Sequence, residues 1–287
     1  MNSTSNKNST LPGVKAVFEV TAVFIVVFLA LWAFRSSPAS GWQSHLLTLP
    51  YLEYTLIILL TFSILFLTKR NFGDYGLTLK KLNYHFDIAV TGLIVIIPLS
   101  AFKYGFLFPK FQMSYLHWDG ALISSLLGIL SIIFILYLIK NKPSYSILPP
   151  SSPGILFILL FFAFIIVLLT IPFTTRIAGF VFFLFFVGFG EELLFRGYIQ
   201  SRLNLVFGRP FQLFGVHWGW GLIIASLLFG FMHYFNPYNP YHLWWVFWTF
   251  FSGLLFGLIR EKTGSVVAPA LIHGMPQALA VLFFGSN

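Results

Sequence analysis

Residues 188–200, GFGEELLFRGYIQ, place Glu191, Glu192 and Arg196 directly after the apolar run AGFVFFLFFVGFG. An ionisable side chain at membrane depth costs a few kcal/mol or more unless it is paired or faces a cavity, so this cluster is a functional hypothesis from the outset. On a helix Glu192 and Arg196 are i, i+4 neighbours, with the carboxylate N-terminal to the guanidinium, the favourable order for an ion pair. Glu191, about 100° around the axis, then has no local partner. A carboxylate withdrawn from water is a stronger proton acceptor and can serve as a general base. The competing reading of the three charges is a structural network that joins helices.

Two further segments carry polar chemistry. FGFMHYF sets Phe229 and His233 at i, i+4, and LIHGMPQ sets His273 and Gln277 at the same spacing, with Pro276 between them to bend the helix and free a carbonyl. A single histidine in an apolar helix is more often a packing residue than a catalyst. Taken together the groups supply one carboxylate to take a proton from water and one imidazole to position that water. A second imidazole with an amide could donate to a developing oxyanion. Those are the parts required for peptide-bond hydrolysis by an activated water.

The elements that must hold these groups are membrane helices. The chain has 287 residues, of which 58% are hydrophobic and 9% charged, outside soluble averages and within the membrane class. A formal charge of +9 does not point to nucleic acid, because the basic residues lie between apolar runs and form no basic face of a soluble domain. With no cysteine, disulfides, iron–sulfur clusters and thiolate zinc sites are excluded. The first apolar run, roughly 16–34, is longer than a signal-peptide core and lacks a small-residue cleavage site, which predicts a retained helix. The triplets at Asn2 and Asn8 match the N-glycosylation pattern but are common by chance in polar tails.

About 20 apolar residues span the hydrocarbon as a helix. Candidate spans fall near 16–34, 50–68, 87–108, 120–139, 154–172, 177–199, 219–236, 243–259 and 264–284. The expected fold is all-α, a polytopic transmembrane helical bundle of about 8–9 helices. Alternating the connections gives one side Lys7, Lys15, the cations of 69–81, Lys140, Lys142, Arg196, Arg202, Arg209, Arg260 and Lys262. The other side keeps only Arg35, Lys103, Lys110 and Arg176. That imbalance predicts a cytoplasmic N-terminus. Glu19, Glu53 and Lys103 lie near helix ends and are expected to reach toward the interface. The run LWWVFWTFF, 243–251, is expected to form an interfacial aromatic belt. Glu191 and His273 each lie 11 residues inside the cationic boundaries Arg202 and Lys262, about 16 Å at 1.5 Å per residue. Equal depth permits them to meet.

Glu191-Glu192-x-x-x-Arg196, then Phe229-x-x-x-His233, then His273 with a polar residue four positions on, resembles the motif series of the CPBP family. That family comprises the CAAX proteases and bacteriocin-processing enzymes, including Rce1-type and Abi members. The similarity covers about residues 177–285, and EELLFRGY is specific for it. It implies a glutamic intramembrane protease in which Glu191 activates water, His233 helps to position it, Glu192 and Arg196 support the site, and His273 with residue 277 forms an oxyanion hole. Members commonly carry Asn where this chain has Gln277, whose side chain is one methylene longer. On this reading 151–287 is the catalytic core, and 1–150 supplies transmembrane helices of unassigned role. No cofactor is implied. The expected partners are a membrane-associated protein or peptide substrate and the lipid bilayer, not nucleic acid, and the expected location is multi-pass in the plasma membrane.

Rival readings have weaker support. Glu191, His233 and His273 could ligate zinc, yet no HExxH run exists. Asp74 lies in a basic loop without a GxGD context, and Ser252 lacks a GxSG context. A transporter would use intramembrane Glu and His as a proton relay, but no internal repeat is visible. A non-catalytic immunity or scaffold protein would retain the motifs without turnover.

Overall fold

The computed structural model describes residues 10–47, 49–171, 174–236 and 240–285. Lys7, the triplet at Asn2 and residues 237–239 of the Pro-rich turn after His233 lie outside the described residues. In hydrocarbon every backbone N–H and C=O needs a partner within the protein, which a helix supplies from its own segment. The described residues accordingly form ten helices and one hairpin. They are α1 (Thr10–Arg35), α2 (Pro38–Leu47), α3 (Tyr51–Leu67), α4 (Leu82–Phe111), α5 (Trp118–Ile139), α6 (Pro153–Thr170) and α7 (Thr175–Phe207). The hairpin β1 (Phe211–Leu213) and β2 (Val216–Trp218) follows, and then α8 (Trp220–Tyr234), α9 (Leu243–Thr263) and α10 (Val267–Phe284). The hairpin pairs antiparallel, with Phe214 and Gly215 at positive φ in its turn, the backbone that a two-residue primed turn requires.

The molecule is a transmembrane helical bundle in which, among the described residues, seven helices are long and apolar enough to cross a membrane, or eight if α2 and α3 count as one bent span. Each of the nine expected runs is helical over its described residues apart from its ends, but two of these helices have fewer than 18 residues. Helix α8 has 15 residues, about 22 Å at 1.5 Å per residue, and the hydrocarbon core is ~30 Å thick. Helix α3 has 17. In the other direction α7, 33 residues long, runs well past the expected end at 199.

One end of the bundle is a polar layer. Glu19 on α1 accepts from Tyr198 at 2.9 Å, from Arg202 at 2.8 Å and from Arg70 at 3.0 Å. Glu261 accepts from Gln200 at 2.6 Å, from Asn204 at 2.8 Å and from Arg209. The connections fold onto this layer: Lys262 Nζ donates to the Lys142 carbonyl at 2.6 Å, Ser265 to the Thr78 carbonyl at 2.9 Å, and Thr78 to the Pro149 carbonyl at 2.5 Å. Segments assigned to one side by their cations therefore meet at one end. Arg202 and Lys262, expected as cationic boundary residues, are buried here, Arg202 against the Glu19 carboxylate and Lys262 beneath the carbonyls of the 140–142 connection.

The three ionisable residues expected near helix ends each have a partner within the protein. Glu19 is clamped as described, Glu53 is buried and pairs with Arg35 at 2.7 Å, and Lys103 is buried against Ser124 Oγ at 3.3 Å and the Tyr104 ring at 4.2 Å.

Candidate active site

Helix α7 carries the charged cluster on an unusual backbone. Its segments Phe182–Phe189 and Leu193–Gln200 are wound as π-helix, and the short α turn Gly190–Glu192 lies between them. A π-helical stretch widens the turn and redirects side chains, and it is frequent at functional sites. The wider winding leaves the Arg196 carbonyl free to accept from Ser201 Oγ at 2.9 Å.

Helix α10 lies directly against this stretch. A Cβ on Gly188 would come within 2.6 Å of the Ala270 carbonyl oxygen, and one on Gly274 within 2.4 Å of the Phe183 carbonyl oxygen. Only glycine at both positions allows the two backbones to touch, the small-residue logic of membrane helix packing. Gly188 is three residues before Glu191 and Gly274 immediately follows His273. The contact therefore fixes how closely the acid and the imidazole approach.

The side chains form a graded network. Arg196 and Glu192 are both fully buried and pair at 3.2 Å, and a second guanidinium nitrogen donates to the Gly253 carbonyl at 2.9 Å. The guanidinium lies over the Phe229 ring at 4.4 Å, a contact favourable for a desolvated cation. His273 Nδ1 lies 2.9 Å from the same Glu192 oxygen, Oε1. A carboxylate only accepts, so Nδ1 carries the hydrogen and Nε2 is directed the other way. There Nε2 faces Glu191 Oε2 at 3.9 Å. The His273 ring stacks on Phe256 at 4.7 Å and meets Phe229 edge-on at 5.7 Å.

Glu191 differs from its neighbour in exposure and in the partners of its Oε1, while each carboxylate leaves its Oε2 without a hydrogen-bond partner among the described residues. Glu191 remains partly accessible, and its Oε1 accepts from the Tyr54 hydroxyl of α3 at 3.1 Å. His233 sits at the end of α8, where Nδ1 lies 2.8 Å from the Phe229 carbonyl; the ring packs on Phe229 at 4.9 Å and on Trp245 at 5.4 Å. A carbonyl only accepts, so His233 too holds its hydrogen on Nδ1 and leaves Nε2 as an acceptor when neutral. Glu191 Oε2 and the two imidazole Nε2 atoms are thus among the acceptors that remain, a set suited to a ligand that donates two hydrogens, as water does.

The structure brings Glu191, Glu192, Arg196 and His273 into direct contact and joins His233 to them through Phe229. Gln277, one turn beyond His273, is exposed and makes no hydrogen bond among the described residues. Trp245 reaches His233, while Trp244 and Phe247 on the other face of α9 are exposed as an aromatic belt would be. Among the described residues no three His, Cys, Asp or Glu side chains are arranged to hold a metal ion. Tyr54 is absent from the motif series, and its partner lies 137 residues away. The only local signal was a pair of tyrosines one turn apart in YLEY.

No curated protein and no solved structure matches the chain. Residues 172–279 match the family described as type II CAAX prenyl endopeptidase Rce1-like. That segment spans α7, the hairpin, α8, α9 and most of α10, and so holds every motif residue of the site. The family implies an endopeptidase of the CAAX type acting within the membrane on a membrane-associated protein. The C-terminal part of this integral membrane protein is therefore an Rce1-like type II CAAX prenyl endopeptidase domain, consistent with a CPBP family protease.

Proposed function

We propose that this protein is a glutamic intramembrane endopeptidase that cuts a membrane-anchored protein or peptide near its terminus. The carrying observation is the unequal environment of two adjacent carboxylates. Glu192 is fully buried and its Oε1 is shared by Arg196 and His273, whereas Glu191 is a partly accessible residue whose unpartnered Oε2 lies 3.9 Å from His273 Nε2. In this reading Glu191 takes one proton from a water, and the Nε2 of neutral His233 accepts the other hydrogen bond and orients the nucleophile. The oxygen attacks the scissile carbonyl, the carbonyl becomes an oxyanion, and the proton held by Glu191 passes to the departing amine. Donation to the oxyanion from His273 Nε2 requires the imidazolium form, with Gln277 as the second donor. Glu192 and Arg196 hold His273 in orientation. The working location is the plasma membrane, with the N-terminus cytoplasmic.

A test in host cells compares protein termini in cells carrying the native chain with those in cells carrying Glu191→Gln at equal expression. Termini that vanish with the substitution establish proteolysis and name the substrate. Termini that are unchanged, together with a cellular effect that survives the substitution, would favour the immunity or scaffold reading. A zinc chelator added to isolated membranes leaves cleavage intact. Loss on chelation and recovery on adding zinc would favour the metal-dependent rival instead.

A further inference from the structure

Glu191 receives a group from a part of the chain that the family match does not cover. The Tyr54 hydroxyl on α3 donates to Glu191 Oε1 at 3.1 Å, and α3 lies outside residues 172–279. The tyrosine is held from several directions. Its ring meets Phe182 of α7 edge-on at 5.3 Å. One turn earlier Tyr51 donates to the Ala178 carbonyl at 2.9 Å and packs edge-on against Phe182 and Phe186. Between the two tyrosines Glu53 ties the helix to Arg35 of α1 at 2.7 Å. Helix α3 is thus docked on the π-wound part of α7, and Tyr54 is its point of contact with the acid.

We infer that Tyr54 is a positioning residue for Glu191: its hydrogen bond occupies Oε1 and presents Oε2, toward His273, as the oxygen that takes the proton. This inference rests on the reading of Glu191 as the base. The terminal torsion of a glutamate is soft and roughly two-fold, so an unrestrained carboxylate interchanges its oxygens and swings in its plane. Near-attack geometry tolerates little of that motion, since a misplacement of about 1 Å can cost about 100-fold in rate. A phenol donor on a docked helix removes the freedom without adding a charge beside the base. The helices before residue 150 thereby acquire a catalytic purpose: they orient the acid that the C-terminal core supplies.

The test follows the disappearance of the Glu191-dependent termini in cells expressing full-length variants at matched levels, with unfolding temperatures measured on the purified proteins. Tyr54→Phe keeps the ring against Phe182 and removes only the donor, and cleavage is expected to slow about 10- to 100-fold with little change in unfolding temperature. Tyr51→Phe removes a comparable bond from the same helix without touching Glu191. It should lower the unfolding temperature by a few degrees and leave the cleavage rate within a few-fold. In a Glu191→Asp background, whose shorter carboxylate is drawn back from the phenol, Tyr54→Phe is expected to add no further loss. A purely structural tyrosine would multiply the two defects. Native-like cleavage by Tyr54→Phe, in cells where Glu191→Gln abolishes it, overturns the positioning role alone. Cleavage that survives Glu191→Gln removes the underlying reading as well.

Discussion

His273 and Arg196 converge on a single oxygen: Glu192 Oε1 lies 2.9 Å from the imidazole Nδ1 and 3.2 Å from the guanidinium. Both members of the ion pair are fully buried, so removing one leaves a bare charge in a medium of low dielectric, at a cost of about 3–5 kcal/mol. Glu192→Leu and Arg196→Met should each lower the unfolding temperature sharply and abolish cleavage. Replacing both at once restores an apolar packing unit and should recover most of the stability. Cleavage stays lost in the double variant, because His273 no longer has an acceptor to fix its ring. Recovery of activity along with stability would show that Glu192 serves the fold and not the imidazole.

A second prediction concerns the line of contact between α7 and α10. Gly274→Ala puts a methyl 2.4 Å from a backbone oxygen of Phe183, which no side-chain movement relieves, and overpacking of this kind costs about 1–3 kcal/mol. The helices must separate, and Glu191 and His273 move apart with them. Cleavage should therefore fall by more than the folded fraction falls. Gly105→Ala is the control: a Cβ there meets nothing within 4 Å, and the exchange should be neutral or slightly stabilising. Measured side by side, equal effects at the two glycines would contradict the close-packing argument.

The helices and the motif residues were legible in the sequence because a bilayer imposes a length and a polarity that composition alone can meet. Charge was legible for the same reason. Glu191, Glu192 and Arg196 stood out only because the residues around them are apolar, and equal depth foretold that Glu191 and His273 share a level. The π-winding of α7 was not visible, since Phe182–Phe189 reads as apolar helix whether it advances by i+4 or i+5 bonds. The burial of Lys103 was likewise hidden. Its partners Ser124 and Tyr104 are ordinary residues until the packing of α4 against α5 is known. Tyr54 shows the general limit, for its identity suggests no role until α3 is placed against α7.

Gln277 supplies a sharper test of the proposed chemistry than of the fold. It is exposed and unbonded among the described residues, so Gln277→Ala should leave the unfolding temperature unchanged. As an oxyanion donor its loss should lower kcat about 100- to 1,000-fold with KM nearly constant, the pattern of an interaction made only in the transition state. Gln277→Asn, one methylene shorter, should retain a substantial part of the rate. A Gln277→Ala variant with native kcat would remove this residue from the mechanism and leave His273 as the sole donor.

The last prediction is topological, and the absence of cysteine from the chain makes it clean to test. Segments 69–81, 140–152 and 260–266 meet in one polar layer, through Thr78 with Pro149, Tyr145 with Lys262 and Ser265 with Thr78. These segments are therefore expected on one side of the membrane, and their lysines and arginines make the cytoplasm the predicted side. Lys110, in the last turn at the far end of α4, is exposed. A membrane-impermeant maleimide applied to intact cells should label Lys110→Cys and spare Ser146→Cys, which becomes reactive only after permeabilisation. Labelling of both from outside would break the alternating path through the bundle. The reverse pattern would keep the path but turn the protein over, and Glu191 would then serve substrates whose anchored termini lie on the outer side.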